Sequence, residues 1–428
     1  MEEFKMPACY FNSDFESVYS CEYKLIDGHI EIEVDGYDIM DEVESINGMK
    51  VYGSNTEFAV RDIMIIDYHA KKNYQAKRAY YAGHAETMGT LDGGVKSKFR
   101  ASVFFEHGEL DKLKALLPTP KANKIRMYSK SIIDWIGYPS LTNIKTDSAL
   151  TYTLSREYEG ASTSVESNQI KQITVSDYWN ATRSIHQYDI NIDFKGYIEL
   201  ELMKRVNYDE VYEFIYELLI FMQLYCPDRF KIDEIWVMVN DTYYGLHLPL
   251  PEIKYKESRA QQTVEVDLLE FLKECYLKIP YRKGKAEIRN IPYIVLKTSR
   301  GLEDNFLMFY RFIECYYKKA GINKFISSSI TEHYVSKHHL TDEQLENYTQ
   351  EIICLRNHYV HAGYYIENAS LRVSFEKIDE EENPKNYTVN NVDAHWVYER
   401  TKILYQVVID IIYKNMLGYD NYHFSRHF

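Results

Sequence analysis

Gly28-His29-Ile30-Glu31-Ile32-Glu33-Val34-Asp35-Gly36 is the stretch that sets the class of the first half of the chain. Between two glycines, apolar and polar residues alternate at period two, the pattern of a half-buried strand in an antiparallel sheet. Runs of the same kind recur at 58–68, 99–105, 149–156, 170–178 and 188–202. An all-β module, sandwich-like in its layering, is therefore expected over residues 1–205.

From Tyr208 the period changes. Val211, Phe214, Ile215, Leu218, Leu219 and Met222 fall at three- and four-residue steps, which predicts an amphipathic helix closed by Pro227. Strands at 232–239 and 243–248 around an Asn240-Asp241 turn and a helix over 266–277 make residues 206–300 a mixed segment, expected to pack on the β-rich domain. Residues 301–428 read mainly as helices, at 302–319, 323–337, 342–362 and 394–417. Thr341 or Asp342 is placed to cap the third of them. A strand pair at 371–375 and 387–389 predicts a hairpin inserted between helices. The expected class is α+β, ending in a helical bundle.

Composition narrows the function. At 428 residues, 45% hydrophobic and 27% charged, the chain suits a folded, multidomain, water-soluble protein. Its apolar runs are too short to span a bilayer, and the start Met1-Glu2-Glu3-Phe4-Lys5-Met6 has acids where a signal peptide carries bases, so no membrane partner and a cytoplasmic location are expected. Six cysteines without a CxxC pair predict reduced thiols, with neither a disulfide framework nor a thiolate zinc site.

The net charge of -14 disfavours nonspecific binding to nucleic acid, so any such site must be local. Residues 281–300 reverse the sign locally: Arg282, Lys283, Lys285, Arg289, Lys297 and Arg300 face Glu287 alone. With Lys337 they form a candidate RNA-facing set, and a solvated linker is the plainer reading. The forty tyrosines suit base stacking, but compositional bias with ordinary core and surface filling is the plainer reading.

The sharpest chemistry lies in Arg356-Asn357-His358-Tyr359-Val360-His361, before Gly363. Arg carries a permanent charge on a fork that matches phosphate oxygens, and His exchanges protons near neutrality. Gly363 predicts a helix stop, which puts His361 in the last turn, where unpaired carbonyls favour the imidazolium. Along an ideal helix the five-residue step turns by about 140°. Arg356 and His361 therefore diverge, while Asn357 and His361 share a face. The motif is thus half a site, completed by local unwinding or by a second copy about a two-fold axis.

An Arg-polar-three residues-His motif near a helix end in a C-terminal helical domain resembles that of the HEPN ribonucleases. A β-rich N-terminal region before a terminal helical domain is similar in layout to the ApeA group of abortive-infection proteins of antiphage defence. The resemblance implies a HEPN-like nuclease domain over 301–428 and metal-independent RNA cleavage at a composite homodimer site. It implies no cofactor or metal, and an N-terminal region that senses a phage-derived trigger. Arg356 and His361 then hold the two motif positions, with Asn357 orienting His361 or a phosphate. The 2′-hydroxyl would attack, giving 2′,3′-cyclic phosphate ends.

Supporting candidates are Glu314, as a partner for Arg356 or one half of an ordinary ion pair, His358, and Tyr359, as a base-stacking ring or core filler. Two readings of other classes stand beside this one. In the first, a noncatalytic recognition protein, the β-rich module binds a protein or glycan. In the second, a metal-dependent hydrolase uses the His358-x-x-His361 pair with a third ligand that the sequence does not reveal.

Overall fold

The computed structural model describes residues 7–11, 18–26, 28–35, 45–46, 49–50, 60–68, 70–86, 95–116, 120–132, 140–145, 150–155, 161–165, 169–183, 190–227, 230–250, 264–279, 301–319, 324–361, 371–378 and 384–422. The first strands are β1 Ala8–Phe11, β2 Val18–Ile26, β3 His29–Asp35, β4 Ser45–Ile46, β5 Met49–Lys50, β6 Val60–Asp67, β7 Lys72–Glu86, β8 Val95–Ala101, β9 Val103–His107 and β10 Ala122–Ser129. Then follow β11 Ser140–Lys145, β12 Leu150–Ser155, β13 Ala161–Ser164, β14 Ile170–Arg183, β15 Ile190–Val206, β16 Glu234–Val239, β17 Thr242–His247, β18 Leu371–Ile378 and β19 Pro384–Val392. The helices are α1 Leu110–Lys114, α2 Tyr208–Tyr225, α3 Leu268–Lys278, α4 Leu302–Lys319, α5 Phe325–Ile330, α6 Ser336–His338, α7 Asp342–His361 and α8 Ala394–Asp410. Thr331–Val335 and Ile411–Leu417 are π-helical.

Two compact units emerge. One holds Met1–Tyr216 with Lys231–Glu252, the other Glu217–Phe230 with Ile253–Phe428.

The first unit is built on one antiparallel sheet in the order β13-β14-β15-β10-β16-β17-β9-β7-β6-β1-β2-β3-β8, and β8 also bonds back to β7. That last pairing closes β7, β6, β1, β2, β3 and β8 into a six-stranded barrel. The sandwich expected from the sequence is therefore wrong: a single sheet curls on itself and extends beyond the closure as further strands.

Strand β7 explains the closure. Its first half, Asn73 to Lys77, pairs with β9, while Tyr80 to Glu86 pairs with β8. The register against β6 shifts between Arg61 and Ile63, where Arg78 takes a left-handed φ of 52°. Asp62 anchors this bulge by accepting from the Arg78 N–H at 2.9 Å and from Lys77 Nζ at 2.8 Å. A bulge sharpens local twist and lets a strand leave one neighbour for another.

The alternation in β3 sets the barrel interior. Ile30, Ile32 and Val34 are buried with Cys9, Cys21, Ile63, Ile65, Ala76 and Phe99. Outside, Glu31 stands opposite Arg100 and Glu33 opposite Lys98 in β8. Both pairs form ion bridges, the second at 2.7 Å.

In the second unit α4 packs on α8, and α5 and α7 complete a helical bundle. The apolar stripe of α4, including Phe306, Phe309 and Ile313, and that of α8, including Val397, Leu404, Val407 and Val408, are buried as their spacing predicts. The expected hairpin is β18–β19, with Leu371 opposite Val392 and Phe375 opposite Tyr387. Among the described residues no helix is long and apolar enough to cross a membrane.

Candidate functional site

Helix α7 carries the Arg356 to His361 motif at its end. It starts with a capping box: Gln344 N–H donates to Thr341 Oγ1 at 3.2 Å and Thr341 N–H to Gln344 Oε1 at 2.9 Å. Halfway along, Glu351 Oε2 accepts from Arg400 Nε at 2.8 Å and Nη2 at 2.6 Å. Arg400 is held in turn with its guanidinium 4.4 Å from the Trp396 ring centre and 5.4 Å from that of Tyr348. Asp393 caps α8 by accepting from the Trp396 N–H at 2.8 Å, which fixes the turn that presents Trp396 and Arg400. The helix bearing the motif is thus bolted to α8 one turn before Arg356.

Arg356 is half-buried, with its guanidinium 5.8 Å from the ring centre of Tyr310 on α4. Its Nη1 donates to Asn357 Oδ1 at 3.0 Å, so motif positions one and two form a single polar group. Burial pushes the Tyr310 hydroxyl up to about 12 even though the neighbouring Arg356 charge opposes the shift. Tyr310 therefore meets the guanidinium as a neutral ring.

The supporting candidates divide. Glu314 gives its carboxylate to Lys318 one turn on, at 2.5 Å, rather than to Arg356. Tyr359 packs edge-on against Phe306 at 5.7 Å, and its hydroxyl is buried without a partner among the described residues, which makes it core filler rather than a stacking platform. His358 is partly buried, and burial lowers its affinity for a proton. His361 is the last residue of α7, its side chain outside the described residues. Arg282, Lys283, Lys285 and Arg289, with the rest of the basic segment, also lie outside them. Among the described residues no group of His, Cys, Asp or Glu is arranged to hold a metal ion.

Lys337, the described member of the candidate RNA-facing set, also has partners within the helical unit. Its ammonium bonds Asp410 and lies 3.1 Å from the Tyr422 hydroxyl. Asp410 is 0% exposed, and its Oδ2 lies 2.8 Å from Nδ1 of His333, which is 3% exposed. Tyr422 donates to Asp410 Oδ1 at 2.5 Å, and Lys414 stands 3.3 Å from Oδ2. Beyond the imidazole, Nε2 of His333 is 3.0 Å from the Tyr317 hydroxyl, which donates to Glu332 at 2.6 Å. Burial opposes the Asp410 charge, but bonds from His333, Lys337 and Tyr422 overcome it and hold the carboxyl well below its ordinary range.

Both π-helical segments meet at this network, His333 within one and Asp410 at the head of the other. The sequence held one signal for it: Asp410 interrupts the apolar run Val407-Val408-Ile409-Asp410-Ile411-Ile412. A charge kept inside such a run needs several partners. With both ring nitrogens of His333 and all the Asp410 contacts engaged internally, the network's effect is to lock the bundle.

The chain matches no family model, no curated protein and no solved structure.

Proposed function

We propose that the protein is a metal-independent endoribonuclease acting as a homodimer through its C-terminal helical unit, in an abortive-infection response to phage. The observation that carries this reading is the preset Arg356–Asn357 pair, which sits with the rest of its motif in the last turns of a 20-residue helix. An arginine fork held by a neighbouring amide and backed by an aromatic ring suits a phosphate whose negative charge grows during reaction.

In the proposed mechanism the RNA 2′-hydroxyl attacks the adjacent phosphorus, and the 5′-oxygen leaves. His361 transfers the protons, and Arg356 neutralises the phosphorane oxygens. The products are a 2′,3′-cyclic phosphate and a 5′-hydroxyl. Pairing of two α7 ends about a two-fold axis would supply the groups that one helix cannot converge. Val360, 51% exposed within the motif, adds an apolar contact for such pairing. The N-terminal unit is assigned the sensing of a phage-derived trigger, leaving the C-terminal unit to cut.

Incubation of the purified protein with RNA and excess chelator, followed by mapping of the cut ends, tests the reading. Cyclic phosphate ends that vanish in His361→Ala are expected. Cleavage that stops with chelator, or persists unchanged in His361→Ala, rejects it.

A further inference from the structure

On one face of the sheet in the N-terminal unit a row of residues crosses three strands: Trp236 on β16, Gly245 on β17 and Glu106 on β9. Directly opposed residues share a face, so Gly245 leaves a gap between two large side chains. An ideal Cβ there would stand 3.4 Å from Cβ of Glu106; a methyl fits, and anything longer projects into the gap. The result is a cavity of about 320 Å³ with Gly245 among its lining residues, walled by Trp236, Glu106 and His247, with Leu248 and Leu250 alongside. This volume lies at the small end of ligand pockets.

The polar groups around it are fixed in place. Glu106 Oε1 bonds Lys72 Nζ at 2.7 Å, and Oε2 lies 3.1 Å from His247 Nε2. His247 is stacked on Phe104, with ring centres 4.2 Å apart. Glu234 accepts from Lys195 at 2.5 Å and from the Trp236 indole N–H at 3.1 Å. Burial pushes the Glu106 carboxyl up, but its bonds to His247 and Lys72 outweigh this and keep it ionised.

The charges decide what fits. Each glutamate already faces a lysine, and Asp233, the third carboxylate on the lining, accepts from the Lys130 N–H at 2.9 Å, so the slot offers no surplus cation for a phosphate chain. Beyond Trp236 the row continues with Arg126, which is likewise neutralised by Glu199 at 2.6 Å. What remains is a flat apolar indole beside alternating fixed acceptors and donors. A ring with C–H bonds on its face and hydroxyls around its edge matches both: the face lies on the indole, and vicinal hydroxyls bridge carboxylate and ammonium. We propose that this slot binds a neutral sugar, one hexopyranose unit of a glycan.

Saturation-transfer difference NMR on the full-length protein tests it, with glucose, galactose, mannose and N-acetylglucosamine as separate probes and uridine and spermidine as controls. At least one sugar should give a saturable signal, concentrated on one set of ring C–H protons. Gly245→Val, a strand-compatible residue that fills the slot, should weaken it by about tenfold or more with an unchanged melting temperature. If that variant does not fold, Trp236→Leu removes the stacking face and should have the same effect. Absence of a saturable signal from all four sugars, equal affinity in the folded variant, or saturable binding of uridine or spermidine in their place overturns the assignment.

Discussion

Arg356 donates from Nη1 to Oδ1 of Asn357 at 3.0 Å, so the guanidinium is oriented by its own chain neighbour before any substrate arrives. Under the proposed chemistry, Arg356→Lys keeps the charge but loses the planar fork, and is expected to lower kcat by about 100-fold in chelator-treated enzyme. Asn357→Ala leaves the fork in place but unanchored, for an expected loss of about tenfold. Single-turnover cleavage of a labelled RNA measures both. Wild-type rates in Arg356→Lys would remove Arg356 from the transition state.

Asp410 makes the stability of the helical unit depend on acid. Its folded-state pKa lies below the ordinary 3.8, so between the two values the unfolded chain binds a proton that the folded chain does not. Stability from this group is complete above about pH 4 and is lost as the pH falls below it toward the folded value. Asp410→Asn removes that acid-labile contribution and leaves Lys337 and Lys414 without their shared counter-charge, costing about 3 kcal/mol at neutral pH. Urea unfolding at pH 7 and at pH 3 should show a smaller pH difference for the variant than for the wild type. An equal difference would place the acid sensitivity elsewhere.

The ion pair between Arg400 and Glu351 joins α8 to α7 directly before the motif. Because Arg400 is also stacked near Trp396 and Tyr348, Arg400→Lys is expected to destabilise the protein by about 1–2 kcal/mol despite keeping the charge. Arg400→Ala should cost more, about 3 kcal/mol, since it strands Glu351 in a partly buried place. A double-mutant cycle with Glu351→Gln reads the coupling between the two. A coupling near zero would mean that α7 is held on α8 by apolar packing alone.

What the sequence disclosed follows the reach of each interaction. The alternation in Gly28 to Gly36 was legible because one face of β3 is buried and the other carries charge, both within seven residues. The helix bearing the motif was legible at its start, where Thr341 caps it locally, and it carries the motif through to His361. The Asp410 to His333 bond spans 77 positions and joins residues with no shared period, so only the isolated acid in an apolar run hinted at it. The slot at Gly245 was equally hidden, because its walls come from β9 and β16, more than a hundred residues apart. Lys337 is a related case: a cation that reads as surface in the sequence also bonds the buried Asp410 in the fold.

The sandwich expectation failed at Asp62, and the same residue supplies a test of the barrel. No period in the sequence marks the bulge, and the left-handed φ of Arg78 has no glycine to announce it. A non-glycine residue in that region costs about 1–2 kcal/mol and persists only where its surroundings enforce it. Asp62 does so through two bonds, to the Arg78 N–H and to Lys77 Nζ, whose side chain is 3% exposed. Asp62→Ala removes both bonds and takes a carboxylate away from a buried ammonium, for an expected loss of about 3 kcal/mol. Arg78→Gly, by contrast, relieves the backbone strain and should be neutral or stabilising by up to about 1 kcal/mol. Thermal unfolding of the two variants separates the cases. If Arg78→Gly destabilises as much as Asp62→Ala, the left-handed bend is not what lets β7 pass from β9 to β8.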